Sequence, residues 1–137
     1  MTFNPNETQL KIVLADDFQI LVERLKKMLN PISHLTVIGE AYSMSSAVSQ
    51  VEQMRPDVVI MDIQLGGTEP KNGIALINIF KRTYPNLTII VFTNFADTRY
   101  HQLCLMNGAD YFFDKAAGAD AITDALDEVS RTKKILS

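Results

Sequence analysis

The stretch from Val58 to Thr68, VVIMDIQLGGT, places four apolar residues directly before an aspartate and a glycine-rich segment. A short run that is apolar at every position is typical of a strand covered on both faces, as in a parallel sheet. A strand that is buried yet ends on a carboxylate predicts that Asp62 lies at the rim of the sheet, where the chain leaves the core.

The rest of the chain alternates strand-like runs with amphipathic segments. The predicted strands are Lys11–Ala15, Leu35–Glu40, Asp57–Asp62, Leu87–Thr93 and Asp110–Asp114. The predicted helices are Phe18–Leu29, Ser45–Met54, Gly73–Arg82, Thr98–Asn107 and Ala119–Lys133. The pair Asn107-Gly108 is a C-cap signal for the fourth helix. A βα pattern repeated five times predicts a three-layer α/β sandwich with right-handed crossovers.

Composition restricts the functional classes. The chain has 137 residues, about the size of one domain, with 47% hydrophobic residues and a formal net charge of -3. It lacks the excess of base that drives binding to nucleic acid phosphates. The apolar runs Val58–Met61 and Ile89–Phe92 are far shorter than the roughly 18 residues of a membrane helix, and the start MTFNPNETQ has no signal-peptide pattern. We therefore expect a cytoplasmic protein without direct nucleic acid or membrane partners.

Polar residues end four of the five predicted strands. Asp16-Asp17 follows the first strand, Asp62 closes the third, Thr93 closes the fourth and Lys115 follows the fifth. The carboxyl ends of parallel strands meet at one edge of a sheet, where ligands bind. If the first and third strands are neighbours, three carboxylates converge there, and two like charges about 4 Å apart repel by roughly 4 kcal/mol at an effective dielectric near 20.

A divalent cation is the natural complement of such a site. Mg²⁺ prefers hard oxygen ligands, commonly one or two carboxylates with waters and phosphate oxygens. An ionised aspartate beside the metal is a nucleophile toward phosphorus, and Thr93 and Lys115 can stabilise the charge of the resulting acyl phosphate. The pattern therefore favours phosphoryl chemistry at this edge.

These residues, with Gly108-Ala109-Asp110 shortly before the lysine, resemble the receiver domain of two-component response regulators, in particular stand-alone chemotaxis-type and LuxR/NarL-type receivers. The resemblance covers residues 9–132, so residues 1–8 are predicted as an N-terminal extension and 133–137 as a C-terminal tail without an effector domain. It implies a flavodoxin-like (βα)5 fold with strand order 2-1-3-4-5.

The resemblance also implies roles for the site residues. Asp62 would accept a phosphoryl group from a sensor histidine kinase or a phosphotransfer protein, in a reaction that depends on Mg²⁺ or Mn²⁺. Asp17 would ligate the metal directly and Asp16 through water, while Asp62 and the backbone carbonyl of Gln64 would complete the metal site. The chain would be no enzyme beyond its own phosphorylation and dephosphorylation.

The resemblance implies that phosphorylation causes a conformational switch. Thr93 would move toward the phosphoryl oxygen, Lys115 would pair with it, and Phe112 would change rotamer with Thr93 by packing alone, because it has no hydroxyl. Contacts with an unidentified downstream protein would change on the face built by the fourth helix, fifth strand and fifth helix. A homodimer through that face is a common outcome in the family.

The sequence departs from the receiver pattern in the segment after Asp62. Gly66 stands where most receivers have proline, and Gly73 comes eleven residues after Asp62, from which we infer an insertion of about three residues and a longer, mobile loop over GGTEPKN. Ala116 replaces the proline that often follows the lysine, so no cis peptide is expected there. Asn94 replaces a small residue beside the phosphoryl site.

Simpler structural interpretations remain open for single residues. Asp16 and Asp17 can cap and charge-complement the first turn of the first helix. Phe112 belongs first of all to a strand that packs. His34 and His101 are expected in surface or core roles, and Cys104 as a packed thiol.

Three other functional classes compete with the phosphorylated receiver. A degenerate receiver would bind partners as a scaffold without being phosphorylated. A flavin mononucleotide carrier would need hydroxyls and glycines in its first loop, where Asp16-Asp17 would repel phosphate. A haloacid-dehalogenase-like phosphatase would need a second aspartate two residues after Asp62, where this chain has Gln64.

Overall fold

A computed structural model describes residues 9–136, with side chains up to residue 133. Strands and helices alternate along this part of the chain. The strands are β1 (Leu10–Ala15), β2 (Leu35–Ala41), β3 (Val58–Met61), β4 (Thr88–Thr93) and β5 (Tyr111–Asp114). The helices are α1 (Gln19–Leu29), α2 (Met44–Met54), α3 (Pro70–Thr83), α4 (Thr98–Met106) and α5 (Asp120–Leu136). The extension predicted for residues 1–8 lies outside the described residues.

The sheet has the order β2-β1-β3-β4-β5, and every neighbouring pair is parallel. This confirms the predicted flavodoxin-like order 2-1-3-4-5. The order changes direction at β1, since β1 pairs with both β2 and β3. The carboxyl ends of β1 and β3 are therefore neighbours, as the prediction of a shared polar edge requires.

Each face of the sheet has its own core. On one face Val13, Val59 and Val91 belong to a cluster completed by α2, α3 and α4. On the other face Leu14 and Ile60 belong to a cluster completed by α1 and α5. Because successive side chains of a strand point to opposite faces, strands covered on both sides must be apolar at every position. All four residues of β3 are buried, as the run VVIM predicts.

The segment after β3 is more ordered than predicted. Leu65–Gly67 forms a 3-10 turn, and α3 begins at Pro70 with Glu69 as its N-cap, three residues before the predicted start at Gly73. The prediction of a loop over all of GGTEPKN is therefore wrong in its extent. Proline suits the first helical position, because the N–H groups there have no partner within the helix. Residues 70–72 thus extend α3 by almost one turn at its N-terminus.

The other boundaries agree with the prediction to within one residue, except at the end of α5. This helix continues to Leu136, so most of the predicted tail 133–137 is helical and only Ser137 lies outside the described residues. Asn107 is the C-cap of α4 and Gly108 has a φ of 115°, as the predicted cap signal requires. None of the helices in residues 9–136 has the length and apolar content needed to cross a membrane.

Cys104 is the buried residue of α4. Burial raises the pKa of its thiol to about 11, which keeps the thiol protonated and unreactive near neutral pH. The interpretation of Cys104 as a packed thiol is confirmed.

Candidate functional site

Four of the predicted site residues meet at the carboxyl edge of the sheet. Asp16 directly follows β1, and its amide donates a hydrogen bond to the Ala41 carbonyl at 2.9 Å. Asp62 directly follows β3, and its amide donates to the Ala15 carbonyl at 3.1 Å. These two bonds continue the ladders of β1 beyond the strand ends, so both carboxylates are held at the rim on rigid backbone.

The Asp62 carboxylate is the centre of the cluster. Its Oδ1 accepts hydrogen bonds from the Thr93 hydroxyl at 2.7 Å and from the Gln64 amide at 3.0 Å. Its Oδ2 accepts one from the Lys115 ammonium at 2.8 Å. Asp62 and Thr93 are both buried. Three donors from three different segments thus fix the orientation of one carboxylate.

Lys115 bridges two carboxylates. Its Nζ lies 2.7 Å from Asp16 Oδ2 and 2.8 Å from Asp62 Oδ2, and its side chain is only 12% exposed. Burial acts to lower the pKa of Lys115, but the hydrogen bonds to Asp16 and Asp62 outweigh it and raise the pKa above its usual value. One ammonium shared by two acids is held firmly in its charged form.

The negative charge of Asp16 is only partly compensated by its hydrogen-bond donors in this cluster. Burial raises its pKa above the ordinary value, although the hydrogen bond from Lys115 and the one from the Phe18 amide act to lower it. The Phe18 bond, 2.9 Å to Oδ1, forms a turn just before α1, whose N-cap is Phe18 itself. Asp16 therefore shapes the entry to α1 without being its N-cap, and its second oxygen is committed to the site.

The structure does not bring Asp17 into this cluster. Asp17 is exposed, and within residues 9–136 no group of three or more Asp, Glu, His or Cys side chains has the arrangement of a metal site. The predicted direct metal ligand therefore follows Asp16 in the chain but lies outside the cluster of Asp16, Asp62 and Lys115.

The donor set nevertheless suits a hard divalent cation. Asp16 and Asp62 contribute two formal negative charges and Lys115 one positive charge, which leaves a formal charge of about -1 among the clustered side chains. The exposed Asp17 adds a further negative charge next to Asp16 in the chain, and the oxygen atoms of this rim are ligands that Mg²⁺ prefers. Asp16 and Asp62 are both buried, so this excess charge is poorly screened by water. Mg²⁺ and Mn²⁺ match both the charge and the ligand chemistry.

The fourth predicted metal ligand, the Gln64 carbonyl, already has a hydrogen-bond partner. It accepts the Gly67 amide at 3.3 Å in the 3-10 turn that follows Asp62. The φ values of Gly66 and Gly67, 69° and 76°, are left-handed and allow this tight turn. A carbonyl oxygen has two lone pairs, so the turn leaves one of them for a cation.

The segment after Lys115 is shaped by Asp114. Its Oδ1 accepts the Ala116 amide at 2.9 Å and caps the 3-10 turn Lys115–Ala117. No cis peptide occurs among residues 9–136. Asn94, directly after Thr93, is exposed at the rim.

Phe112 and His101 form a ring pair that the sequence did not indicate. Phe112 is half-buried on β5, and the His101 ring of α4 stacks on it with a centroid distance of 4.7 Å and an interplanar angle of 8°. The only signal in the sequence is that His101 precedes the buried Cys104 by three residues, which places both on one helix face.

The other histidine, His34, has an acid partner, since its Nε2 lies 3.2 Å from Asp127 Oδ1 of α5.

The fold and the polar rim together define an α/β protein of the flavodoxin-like class with its site at the carboxyl edge of a parallel sheet. The sequence profile of the response regulator receiver domain matches residues 12–127. The chain belongs to the response regulator receiver domain family of two-component systems.

Individual relatives agree with this assignment. The chain is 31% identical over 127 residues to the transcriptional regulatory protein DegU of Brevibacillus brevis, covering 92% of this chain and 52% of DegU. It is 24% identical over 126 residues to the response regulator protein VraR of Staphylococcus aureus, covering 92% of this chain and 59% of VraR. The chain therefore spans little more than half the length of these curated relatives.

Solved structures share the fold. The isolated receiver domain of RcsB from Salmonella enterica serovar Typhimurium, solved in the presence of the phosphomimetic BeF3-, has a TM-score of 0.82 at 24% identity and covers 90% of each chain. The signal receiver domain of the putative response regulator NarL from Mycobacterium tuberculosis has a TM-score of 0.76 at 20% identity, covering 90% of this chain and 98% of its own.

Proposed function

We propose that this chain is a phosphorylation-gated switch that accepts a phosphoryl group on Asp62 from a sensor histidine kinase or a phosphotransfer protein. The observation that carries the proposal is the set of three donors on one buried carboxylate: the Thr93 hydroxyl, the Gln64 amide and the Lys115 ammonium. Donors aimed at one carboxylate can stabilise the charge that develops when a phosphoryl group is transferred to it.

The transfer forms one bond and breaks one. An oxygen of Asp62 attacks phosphorus, the P–N bond to the donor histidine breaks, and its electron pair returns to the imidazole, leaving an acyl phosphate on Asp62. Thr93 and Lys115 are 2.7 Å and 2.8 Å from the carboxylate oxygens, so both are placed to donate to the oxygens of the transferred group. Positioning and charge stabilisation are the main contributions a protein makes to this reaction.

A divalent cation, Mg²⁺ or Mn²⁺, supplies charge neutralisation for the phosphoryl oxygens when it is bound. In our proposal Asp17 holds it directly, Asp16 holds it through water, and Asp62 and the Gln64 carbonyl complete its ligands. The formal charge of the rim and its oxygen chemistry support this assignment.

The output of the switch is a change of protein contacts on the face built by α4, β5 and α5. Thr93 and Phe112 are the proposed switch residues. The end of α4 supports this choice of face, because Leu103, Leu105 and Met106 are 37%, 44% and 80% exposed within four consecutive residues. The partner is a downstream protein or a second copy of the chain in the cytoplasm, without direct contact to nucleic acid or membrane.

A degenerate receiver that binds partners without phosphorylation is the alternative. Two observations bear on it: the Gln64 carbonyl uses one of its lone pairs in the 3-10 turn, and Asn94 is exposed directly after Thr93. Both affect the approach of a metal or donor to the carboxylate, and neither removes one of its three hydrogen-bond donors.

Phosphorylation of Asp62 is the decisive test. After incubation with Mg²⁺ and acetyl phosphate, we expect intact-mass spectrometry to show one added phosphoryl group in the parent protein and none in Asp62→Asn. Asp124→Asn, which changes an exposed acid of α5, is the matched control and should keep the adduct. A parent protein that gains no adduct from acetyl phosphate or from a cognate kinase would support the scaffold alternative.

Metal binding by Asp17 is tested separately. We expect Asp17→Asn to weaken Mg²⁺ affinity by at least about tenfold, because a direct carboxylate ligand and one formal charge are lost. Calorimetric titration with Mg²⁺ measures the affinity without any phosphoryl donor, and Asp124→Asn again serves as the control. Equal affinities of Asp17→Asn and the control would place Asp17 outside the metal site.

A further inference from the structure

The stacked rings of His101 and Phe112 connect the outer surface of α4 to β5. The rings are nearly parallel, with an angle of 8° and a centroid distance of 4.7 Å. His101 is exposed, whereas Phe112 is half-buried and packs against the core on the α4 side of the sheet. The imidazole therefore covers the solvent-facing side of the phenyl ring.

Phe112 and Thr93 lie on the same face of the sheet. In the β4–β5 register Val91 pairs with Phe112 and Thr93 pairs with Asp114. Val91 and Thr93 are two residues apart, so their side chains point to the same face, which Phe112 shares with Val91 in the core beneath α4. Thr93 and Phe112 are thus diagonal neighbours on adjacent strands.

A series of two contacts and one pair of strand neighbours leads from the site to the surface. Asp62 Oδ1 accepts the Thr93 hydroxyl at 2.7 Å, Thr93 is the diagonal neighbour of Phe112, and Phe112 stacks on His101. Any movement of the Phe112 ring changes or breaks its stack with His101. The series ends on an exposed residue of α4.

Helix α4 is attached to the rest of the domain by a small number of side chains. Cys104 is its one buried residue among Thr98–Met106, and Tyr100 packs against the core and makes an edge-to-face pair with Phe95 at 5.8 Å. The stack with Phe112 adds a direct side-chain contact between α4 and β5. A change in this stack would therefore affect the position of α4 as well as the orientation of the Phe112 ring.

We propose that His101 is a positioning residue of the switch, whose stack on Phe112 stabilises the resting arrangement of β5 and α4 and so sets how readily Asp62 reaches its phosphorylated state. This inference rests on the proposed function and identifies a regulatory contact of the same site. Removing the imidazole takes away a contact made in the resting state and shifts the equilibrium toward the activated state.

Variants of α4 test the contact. His101→Ala removes the stack, His101→Phe keeps an aromatic ring in its place, and Gln102→Ala changes the exposed neighbour. We measure the apparent affinity for BeF3- in the presence of Mg²⁺ at one fixed pH, and the thermal midpoint of each variant. Aromatic pairs contribute enough to predict a two- to tenfold tighter apparent BeF3- affinity, roughly, for His101→Ala.

The conservative variant and the spectroscopic signal separate positioning from general stability. His101→Phe should restore the parent affinity to within about twofold, since it retains an aromatic pair of similar strength, and Gln102→Ala should match the parent. In the parent, the His101 ring protons should show an upfield ring-current shift in NMR spectra that decreases on addition of BeF3- with Mg²⁺.

The outcomes distinguish this inference from the proposed function. Binding of BeF3- that Asp62→Asn abolishes, combined with equal affinities of His101→Ala and Gln102→Ala, would overturn the role of His101 and leave phosphorylation of Asp62 intact. Absence of Asp62-dependent BeF3- binding in the parent protein would overturn both. A tighter affinity of His101→Ala that His101→Phe reverses supports the proposal.

Discussion

Replacing Gly73 with alanine is expected to lower the free energy of unfolding by about 3 kcal/mol or more, the upper end of the cost of overpacking a core. Gly73 is buried in the first turn of α3. A Cβ at this position would lie 2.5 Å from the Cα and the carbonyl carbon of Ile63, and closer still to its carbonyl oxygen. Backbone atoms cannot rotate away as a side chain can, so the helix or the segment after β3 must shift.

The same clash should disturb the candidate site. Ile63 directly follows Asp62, and the Gln64 amide donates a 3.0 Å hydrogen bond to Asp62 Oδ1. Displacement of Ile63 by α3 would move this donor relative to the carboxylate. We therefore expect Gly73→Ala to lose phosphorylation by acetyl phosphate as well as stability, measured on protein that is still folded at low temperature.

Two variants provide controls for Gly73→Ala. An added Cβ at Gly67 meets no heavy atom within 4 Å, although the φ of 76° is left-handed, so Gly67→Ala should cost only about 1 kcal/mol of backbone strain. Ala75→Gly, at an exposed position of α3, measures the intrinsic helix preference, about 1 kcal/mol in favour of alanine. Urea unfolding gives all three values, and a Gly73→Ala protein as stable as the parent would contradict the close approach of Gly73 to Ile63.

Replacing Lys115 with methionine is expected to lower the free energy of unfolding by about 3 kcal/mol at pH 7 without divalent metal, because removal of one partner leaves buried charge uncompensated. The ammonium lies within 2.8 Å of both Asp16 and Asp62, whose side chains are only 7% and 9% exposed. Methionine has a similar volume and keeps the packing of the lysine stem. Urea unfolding in the presence of a chelator measures the difference.

The loss of unfolding free energy caused by Lys115→Met should depend on pH. Lys115 lowers the pKa of Asp16, which burial already raises above its ordinary value, so its removal raises this pKa further. A carboxyl whose pKa is higher in the folded than in the unfolded state stabilises the fold below the unfolded pKa of about 3.9, and this contribution is lost as the pH rises through the folded pKa. The deficit of Lys115→Met should therefore be small near pH 4 and largest near neutrality.

At alkaline pH the deficit should shrink again. The pKa of Lys115 is raised in the folded protein, so its contribution is complete below the ordinary lysine pKa of about 10.4 and is lost as the pH rises through the folded value. Adding Asp16→Asn to Lys115→Met should recover about half of the loss at pH 7, because one of the two uncompensated carboxylates is gone. A deficit that is independent of pH and unaffected by Asp16→Asn would show that the lysine contributes only through packing.

The strands were predictable from local pattern, whereas their order was implied by the resemblance to receiver domains. The run VVIM is apolar at every position, as a strand covered on both faces must be, and the acid that ends it predicted the polar edge where Asp16, Asp62, Thr93 and Lys115 now meet. The start of α3 was missed because glycine, proline and asparagine are turn formers, yet proline is also well suited to the first position of a helix.

The sequence by itself determined which residue types stand at the ends of the strands, because alternation and burial leave a readable pattern over a few neighbouring residues. Only the tertiary structure decided which of these residues touch. Lys115 bridges Asp16 and Asp62 while the adjacent Asp17 is exposed, and His101 covers Phe112, although the residues that touch are not neighbours in the chain. Such contacts depend on how the helices and strand ends are oriented around the sheet. That orientation results from packing between parts of the chain that are distant in sequence.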